Sequence, residues 1–498
     1  MQLFLDEPTR SFTMLDEILE PFKPKTPYGR KTIEMLSCVL ASEQQFHSHW
    51  YRLERVLKQN EEFISGVERI LERIPDLSHQ IENGFVEISD FAKLKKFVYN
   101  FSSLYTLASS VWDLPDVDDI WKVLFHFFGD GEILQLQSEK LLALRKAHLI
   151  LSEQLKKEFS RLCREINSLI GLRPNNEEFT IQAQIGKKLI DHGLAQLVKD
   201  YGERWHLRLI ETEKMLQLRQ SMKQLEEKME LEAEELLDEV RKQIQAHLDL
   251  LKSCEKAVTI VDIDLCRYRM YSRYNCCRPE VGNQIRVING RFIPVLEYCE
   301  AKGYTYYPMN IEVKSGVTVL CGPNMGGKTT ALKTVGAFVA LFHLGFPIPS
   351  EYFSSPVFSN VRFISKGEEI GFSSFAREIR SFIGALQCHG RKLLLFDEFG
   401  TSTNPAEGEA LTLAIVDHFS DSQDYVLLST HYPRVVSAAK NVYSCGRIKS
   451  LEEEDPHRML DYSLVPGAKH VEKIALKLAE KLGVPSEIVK KAENYSGG

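Results

Sequence analysis

The chain has 498 residues, 44% of them hydrophobic, and a formal net charge of −7. The length predicts roughly 2–4 domains, with room for more than one core. There is no run of about 18 uninterrupted apolar residues, so no membrane span is expected, and the acidic balance argues against coating nucleic acid by bulk charge.

The start, MQLFLDEPTRSF, carries acids early and has no apolar stretch, unlike a signal peptide. Ten cysteines occur without any C-x-x-C, which suggests neither a zinc site nor a redox dithiol; reduced thiols in the cytoplasm are expected. Residues 1–30, broken by Pro8, Pro21, Pro24 and Pro27, read as a lead-in with one short helix near Met14 to Leu19. From 31 to 280 helical periodicity dominates. Ser89 is the expected N-cap after a loop at 83–89, Gly129 to Gly131 breaks the pattern before a leucine-rich helix starting near Leu134, and Gly171 to Asn176 stops it again.

Residues 177–210 follow. The stretch 179–185 alternates like a strand. Lys187, Lys188, Lys199, Arg204 and Arg208 are interspersed with Asp191, Asp200 and Glu203, the pattern of a solvated face, with nucleic-acid contact as the weaker alternative. Residues 213–256 read as one long helix in which Met215, Leu218, Met222, Leu225 and Met229 step at helical spacing. Its 8 basic and 11 acidic residues describe a packing arm, not a helix that grips DNA. The texture changes near 280, which sets the expected domain boundary. Stretches 285–288 and 292–296 read as short β runs.

The stretch 317–321 is a buried strand, and it runs into Gly322-Pro323-Asn324-Met325-Gly326-Gly327-Lys328-Thr329, which fits the G-x-x-x-x-G-K-[ST] spacing of a P-loop. Glycines let the backbone turn its N–H groups toward phosphate oxygens, and the helix that follows adds its positive end. Lys328 is expected to reach the β- and γ-phosphates, and the Thr329 hydroxyl to ligate Mg²⁺. A second apolar strand, 392–396, ends in Asp397 and Glu398. Asp397 is the expected Mg²⁺ partner through water, and Glu398 the general base that orients the attacking water. A third, 425–428, ends in Ser429-Thr430-His431, which puts His431 in place to sense or donate to a γ-phosphate. Gly371-Phe-Ser373-Ser374-Phe precedes an amphipathic helix. On residue type alone its serines are better read as caps than as anion ligands.

GPNMGGKTT, S-S-F before a helix, DEFGTSTNPAEG and STHY together resemble the ATPase domain of the MutS family, a branch of the ABC-type ATPases. The likeness is strong from about 290 to 495, including the tail Asp461 to Gly467, Ile474-Ala475 and Gly483 to Val489. It is weaker before that, where Thr26 to Arg30 resembles the entry to the family's helical lever. Asn404 to Gly408 is closer to the recombination-suppressing branch than to the mismatch-reading one.

The resemblance implies an α/β P-loop (ABC-type) ATPase domain at 281–498, following a mainly helical lever with a long arm and a reduced clamp at 31–280. It implies ATP and Mg²⁺ as cofactors, with 322–330, Thr330 included, around the phosphates. It also implies a homodimer through the ATPase domains, each nucleotide closed by the partner's signature serine, here Ser373 or its neighbour Ser374. Adenine is expected on Tyr304, with Tyr306 as the fallback. No mismatch-reading domain is expected before the lever, and no nuclease domain or helical dimerisation tail is expected after the ATPase part. Two outputs follow: an ATP-driven conformational clamp on DNA, related to repair or recombination; or, without DNA, remodelling of a protein client, as in reactivation of a cobalamin-dependent lysine aminomutase.

Overall fold

The computed structural model describes residues 4–34, 43–129, 135–323, 325–364, 373–448, 460–467, 476 and 483–496. Contacts group the chain into two compact units. One comprises Met1–Arg73, Thr106–Leu114 and Glu255–Gly498; the other comprises Ile74–Tyr105 and Pro115–Cys254. This grouping differs from a linear cut near 280, because apolar residues of the first helices belong to the same core as the P-loop segment. Leu15, Ile18, Phe46 and Trp50 lie in one buried cluster with Val335, Phe338 and Phe342.

The first unit is built on a six-stranded sheet in the order Val465–Pro466, Asn441–Ser444, Gly316–Cys321, Tyr425–Ser429, Lys392–Asp397, Asn360–Ile364. Its strands are parallel except Val465–Pro466, which is antiparallel to its neighbour. The central strands are mostly apolar because both faces are covered. Leu320, Leu393, Leu395 and Leu427 pack against the helix Lys328–His343. Val319, Leu394, Phe396, Val426 and Leu428 pack against Ile415, Val416 and Phe419 of the helix Pro405–Phe419. Each such side chain contributes roughly 1.5–3 kcal/mol of burial. A four-stranded sheet, in the order Glu280–Val281, Tyr352–Ser355, Ile285–Gly290, Met309–Val313, belongs to the same unit.

The lead-in covers an edge of the large sheet. Leu5 forms a parallel bridge with Val361, and the Val361 N–H donates to the Phe4 carbonyl at 3.0 Å. The Phe363 N–H donates to Thr9 Oγ1 at 2.8 Å, and Phe12 stacks on Phe363. An open edge would template aggregation, and this segment blocks it. Thr26, in the stretch that resembles the lever entry, donates through its N–H and its hydroxyl to Asp262 Oδ2, at 2.7 and 2.6 Å.

In the second unit, the helix Glu139–Ile170 starts on a Ser138 cap and ends at Gly171 in the left-handed conformation. The helix Glu213–Gln245 starts on a Thr212 cap. Between them lie the helix Ala183–Asp191 and a three-stranded antiparallel sheet of Glu178–Gln182, Arg204–Leu209 and Ala195–Asp200. Leu162, Ile166, Ile181, Leu189, Leu207 and Met215 form its small core.

Three local expectations are corrected. The arm is not one helix over 213–256. It stops at Gln245, and a second helix runs Leu248–Tyr274 with no proline or glycine at the break. Residues 292–296 are not a strand, because the helix Ile293–Lys302 starts there with Pro294 in its first turn, where a missing N–H costs nothing. Ser89 lies inside the helix Ile88–Ala108. Asp90 instead accepts from the N–H groups of Val86 and Glu87, each at 2.9 Å. Asp130, Gly131, Leu134, Gly371, Ile474 and Ala475 lie outside the described residues.

Candidate nucleotide site

The loop after Gly316–Cys321 is forced by packing. Gly322 has φ +141°, and a Cβ there would stand 2.2 Å from the Cys445 carbonyl oxygen. The helix Lys328–His343 then begins with no side-chain cap on its first N–H groups. Lys328 Nζ donates to the carbonyls of Gly322 and Pro323, at 3.1 and 3.0 Å, and lies 3.6 Å from Glu398 Oε1. Burial pulls the Lys328 ammonium below its ordinary range, and the Glu398 carboxylate opposes that shift.

Parallel pairing brings the strand ends together. Asp397 is in register with Ser429. The Thr329 hydroxyl donates to Asp397 Oδ2 at 2.9 Å, and the Ser429 hydroxyl donates to Asp397 Oδ1 at 2.6 Å. The Glu398 N–H donates to Ser429 Oγ at 3.0 Å, and Glu398 Oε1 pairs with His431 Nε2 at 2.6 Å. Glu398 has φ +52° and Met325 φ +69°. Non-glycine residues held there cost about 1–3 kcal/mol each and cluster at functional sites.

A cleft of about 600 Å³ is lined by Met325, Gly326, Gly327, Lys328, Thr329, Thr330, Asp397 and Glu398, and by Tyr298, Tyr304, Tyr306, Tyr307 and Tyr462. Magnesium fits this donor set. A hydroxyl and a carboxylate stand side by side, and Mg²⁺ keeps water and phosphate oxygens in preference to an all-protein cage. Among the described residues no group of three or more His, Cys, Asp or Glu could hold a metal alone. The cleft has the volume and the donor set for a phosphate chain and a hydrated cation, which Thr329 and Asp397 would hold.

Tyr304 and Tyr306 both line the cleft, and Tyr304 also packs against Tyr298 with ring centroids 6.2 Å apart. Tyr306 is half-buried, its hydroxyl accepts from the Phe292 N–H at 2.7 Å, and desolvation pushes its pKa up to about 12. Tyr304 is half-buried. Gly322 and Pro323 act through their carbonyls on Lys328 and are not part of the cleft wall. Asn324 lies outside the described residues. Ser373 is exposed, is absent from the cleft wall, and caps the helix Ser374–Leu386 by accepting from the Ala376 N–H at 3.2 Å.

Sequence reasoning missed Ser429, which joins Asp397 to the Glu398 backbone. The signal was its place at the end of a strand parallel to the acidic one. Tyr298, Tyr307 and Tyr462 were missed as well. Tyr462 reaches the loop from far along the chain, which no local pattern reveals.

Among the described residues no helix is long and apolar enough to cross a membrane. Residues 318–497 match the family model MutS domain V. The chain is 26% identical to an Endonuclease MutS2 of Aquifex aeolicus over 421 residues, covering 78% of this chain and 53% of that protein. It is 27% identical to the Endonuclease MutS2 of Halothermothrix orenii over 401 residues, covering 74% and 47%. The corresponding protein of Thermotoga maritima is 26% identical over 383 residues, covering 73% and 48%. The chain thus spans about half the length of these curated relatives. Residues 318–497, which carry the P-loop and the strands that end in Asp397 and Ser429, are thus similar to MutS domain V.

Proposed function

We propose that this protein binds ATP with Mg²⁺, hydrolyses it with Glu398 as base, and uses the cycle to drive a conformational clamp on DNA, as a machine related to recombination or repair. One observation carries the ATPase reading: Lys328, Thr329, Asp397, Glu398 and His431 converge through contacts of 2.6–3.6 Å at the ends of three parallel strands. In this reading Lys328 neutralises phosphate charge, Thr329 and Asp397 hold the metal, Glu398 orients the water, and His431 keeps Glu398 aimed. Tyr304 takes the base, and Ser373 closes the nucleotide of a second copy in a homodimer. Likeness to proteins named MutS2 supports the DNA output.

A protein client is the second reading, and charge pairing in the three-stranded sheet favours it. Glu178 accepts from Arg208 Nε at 2.6 Å and pairs with His206 at 3.2 Å, while Arg219 pairs with Glu177. Basic groups paired with acids are less available to phosphates.

The test is magnesium-dependent phosphate release by the purified chain, alone and with branched DNA. Release that rises with branched DNA supports the first output. Release that ignores every DNA but rises with a protein partner supports the second. No release at all contradicts the ATPase reading.

A further inference from the structure

The backbone of Glu398 is left-handed, at φ +52°, although glutamate gains nothing from that conformation. Something must hold it. Its own N–H is fixed on Ser429, by the hydroxyl at 3.0 Å and the carbonyl at 3.1 Å. Two residues further on, Gly400 is gripped at both ends of its residue. Its N–H donates to Glu378 Oε2 at 3.3 Å, and its carbonyl accepts from the Tyr432 hydroxyl at 3.1 Å. Glu378 is 1% exposed, an unusual place for a carboxyl group.

The surroundings leave Gly400 little room. A Cβ on Gly408 would stand 2.2 Å from the Gly400 carbonyl oxygen and 2.5 Å from the Tyr432 hydroxyl. This gives a physical reason for the glycine that closes Asn404 to Gly408. Phe382, one turn after Glu378 on the helix Ser374–Leu386, packs edge-on against Phe396 and Phe399, with ring centroids 5.6 and 6.0 Å away. That helix starts at the Ser373 cap, and Tyr432 directly follows His431.

We propose that Glu378 and Tyr432 are positioning residues: they clamp Gly400 from opposite sides and so hold the Glu398 carboxylate in line with its water. The proposal rests on the ATPase reading above and deepens it. It makes the helix that carries Ser373 the part that sets the base, so engagement of Ser373 by a second copy is felt at Glu398 through Glu378. No contact of Glu378 or Tyr432 with nucleotide is required. Removing either group therefore lowers turnover and leaves nucleotide affinity alone.

The experiment measures kcat and fluorescent-nucleotide affinity for the wild type, Glu398→Gln, Glu378→Ala, Glu378→Gln and Tyr432→Phe, each checked for folding by its thermal melt. Misplacing a catalytic group by about 1 Å costs roughly 10²-fold. Glu378→Ala is expected to lose about 10–100-fold in kcat, with affinity within about 2-fold. Glu378→Gln keeps an acceptor for the Gly400 N–H and is expected to recover to within about 3-fold of the wild type. Tyr432→Phe removes only a hydroxyl and is expected to lose about 3–10-fold in kcat. Wild-type kcat in Glu378→Ala and Tyr432→Phe overturns the proposal, and so does a glutamine no better than the alanine. If Glu378→Ala does not fold, Tyr432→Phe decides: a loss confined to kcat supports the clamp and an unchanged kcat overturns it. Hydrolysis surviving in Glu398→Gln overturns the ATPase reading itself, a different pattern from either result at Glu378.

Discussion

The carboxyl edge of the six-stranded sheet and the three-stranded sheet of the second unit both carry many charges, and the charges behave in opposite ways. At the first, Lys328, the adjacent pair Asp397 and Glu398, and His431 come from three separate segments; the first three line one cleft and His431 pairs with Glu398. At the second, Glu178 is taken up by its cross-strand neighbours Arg208 and His206. Convergent charge is costly to assemble and is kept where chemistry needs it, whereas paired surface charge mainly keeps a small sheet solvated. The comparison teaches that the density of charged residues does not mark a site. Convergence from distant segments onto one concavity does.

The largest expected effect tests the convergent side. Glu398→Gln should cut phosphate release by at least about 10²-fold while fluorescent-nucleotide binding persists, because only the base is lost. Normal turnover in that variant would remove Glu398 from its role. Gly408→Ala comes next. Its new methyl meets the Gly400 carbonyl and the Tyr432 hydroxyl, so the loop behind Glu398 must shift. About a 10-fold fall in kcat and a lower melting temperature are expected, since overpacking of this kind costs about 1–3 kcal/mol.

The dispersed side is sharpened by Lys187→Glu with Lys188→Glu, two exposed positions on the helix Ala183–Asp191. If this unit meets DNA, stimulation of phosphate release by branched DNA should drop severalfold and its salt dependence should flatten. If the partner is a protein, DNA makes no difference before or after the change.

The smallest effect concerns an interior group away from the phosphates. His343 donates from Nδ1 to the Val339 carbonyl and accepts at Nε2 from the Phe358 N–H, both at 2.9 Å, so the buried ring is neutral. Burial lowers its pKa from 6.5 to about 4. The unfolded chain therefore binds this proton more readily than the folded one. The stability is fully present above pH 6.5 and is lost as pH falls toward 4, by up to about 1.4 kcal/mol per pH unit. Chemical denaturation across that window should show the slope, and His343→Leu should reduce it.

How far the sequence reveals these features depends on what constrains each residue. The P-loop was legible because its backbone admits few residue types: Gly322 has no room for a Cβ, and Lys328 must reach over the loop. The strands ending in Asp397 and Ser429 were legible because burial on both faces leaves them apolar to the last residue. The break at Ala246-His247 was not, since neither residue stops a helix by itself. The edge-covering role of the lead-in depends on Phe4 and Thr9 meeting Val361 and Phe363, more than 350 positions away. Tyr462 reaches the cleft in the same non-local way. The helix at Ile293–Lys302 was hidden by β-favouring residues, although Pro294 and the terminal Gly303 mark its ends.

The most direct test of the central claim is binding of a fluorescent ATP analogue with magnesium to the intact chain and to Lys328→Ala. Lys328 is the one cation of the P-loop, and it stands between the loop carbonyls and Glu398. The account predicts saturable binding by the intact chain that weakens by at least about 10-fold in the variant. No binding by the intact chain, or equal binding by both, would contradict it.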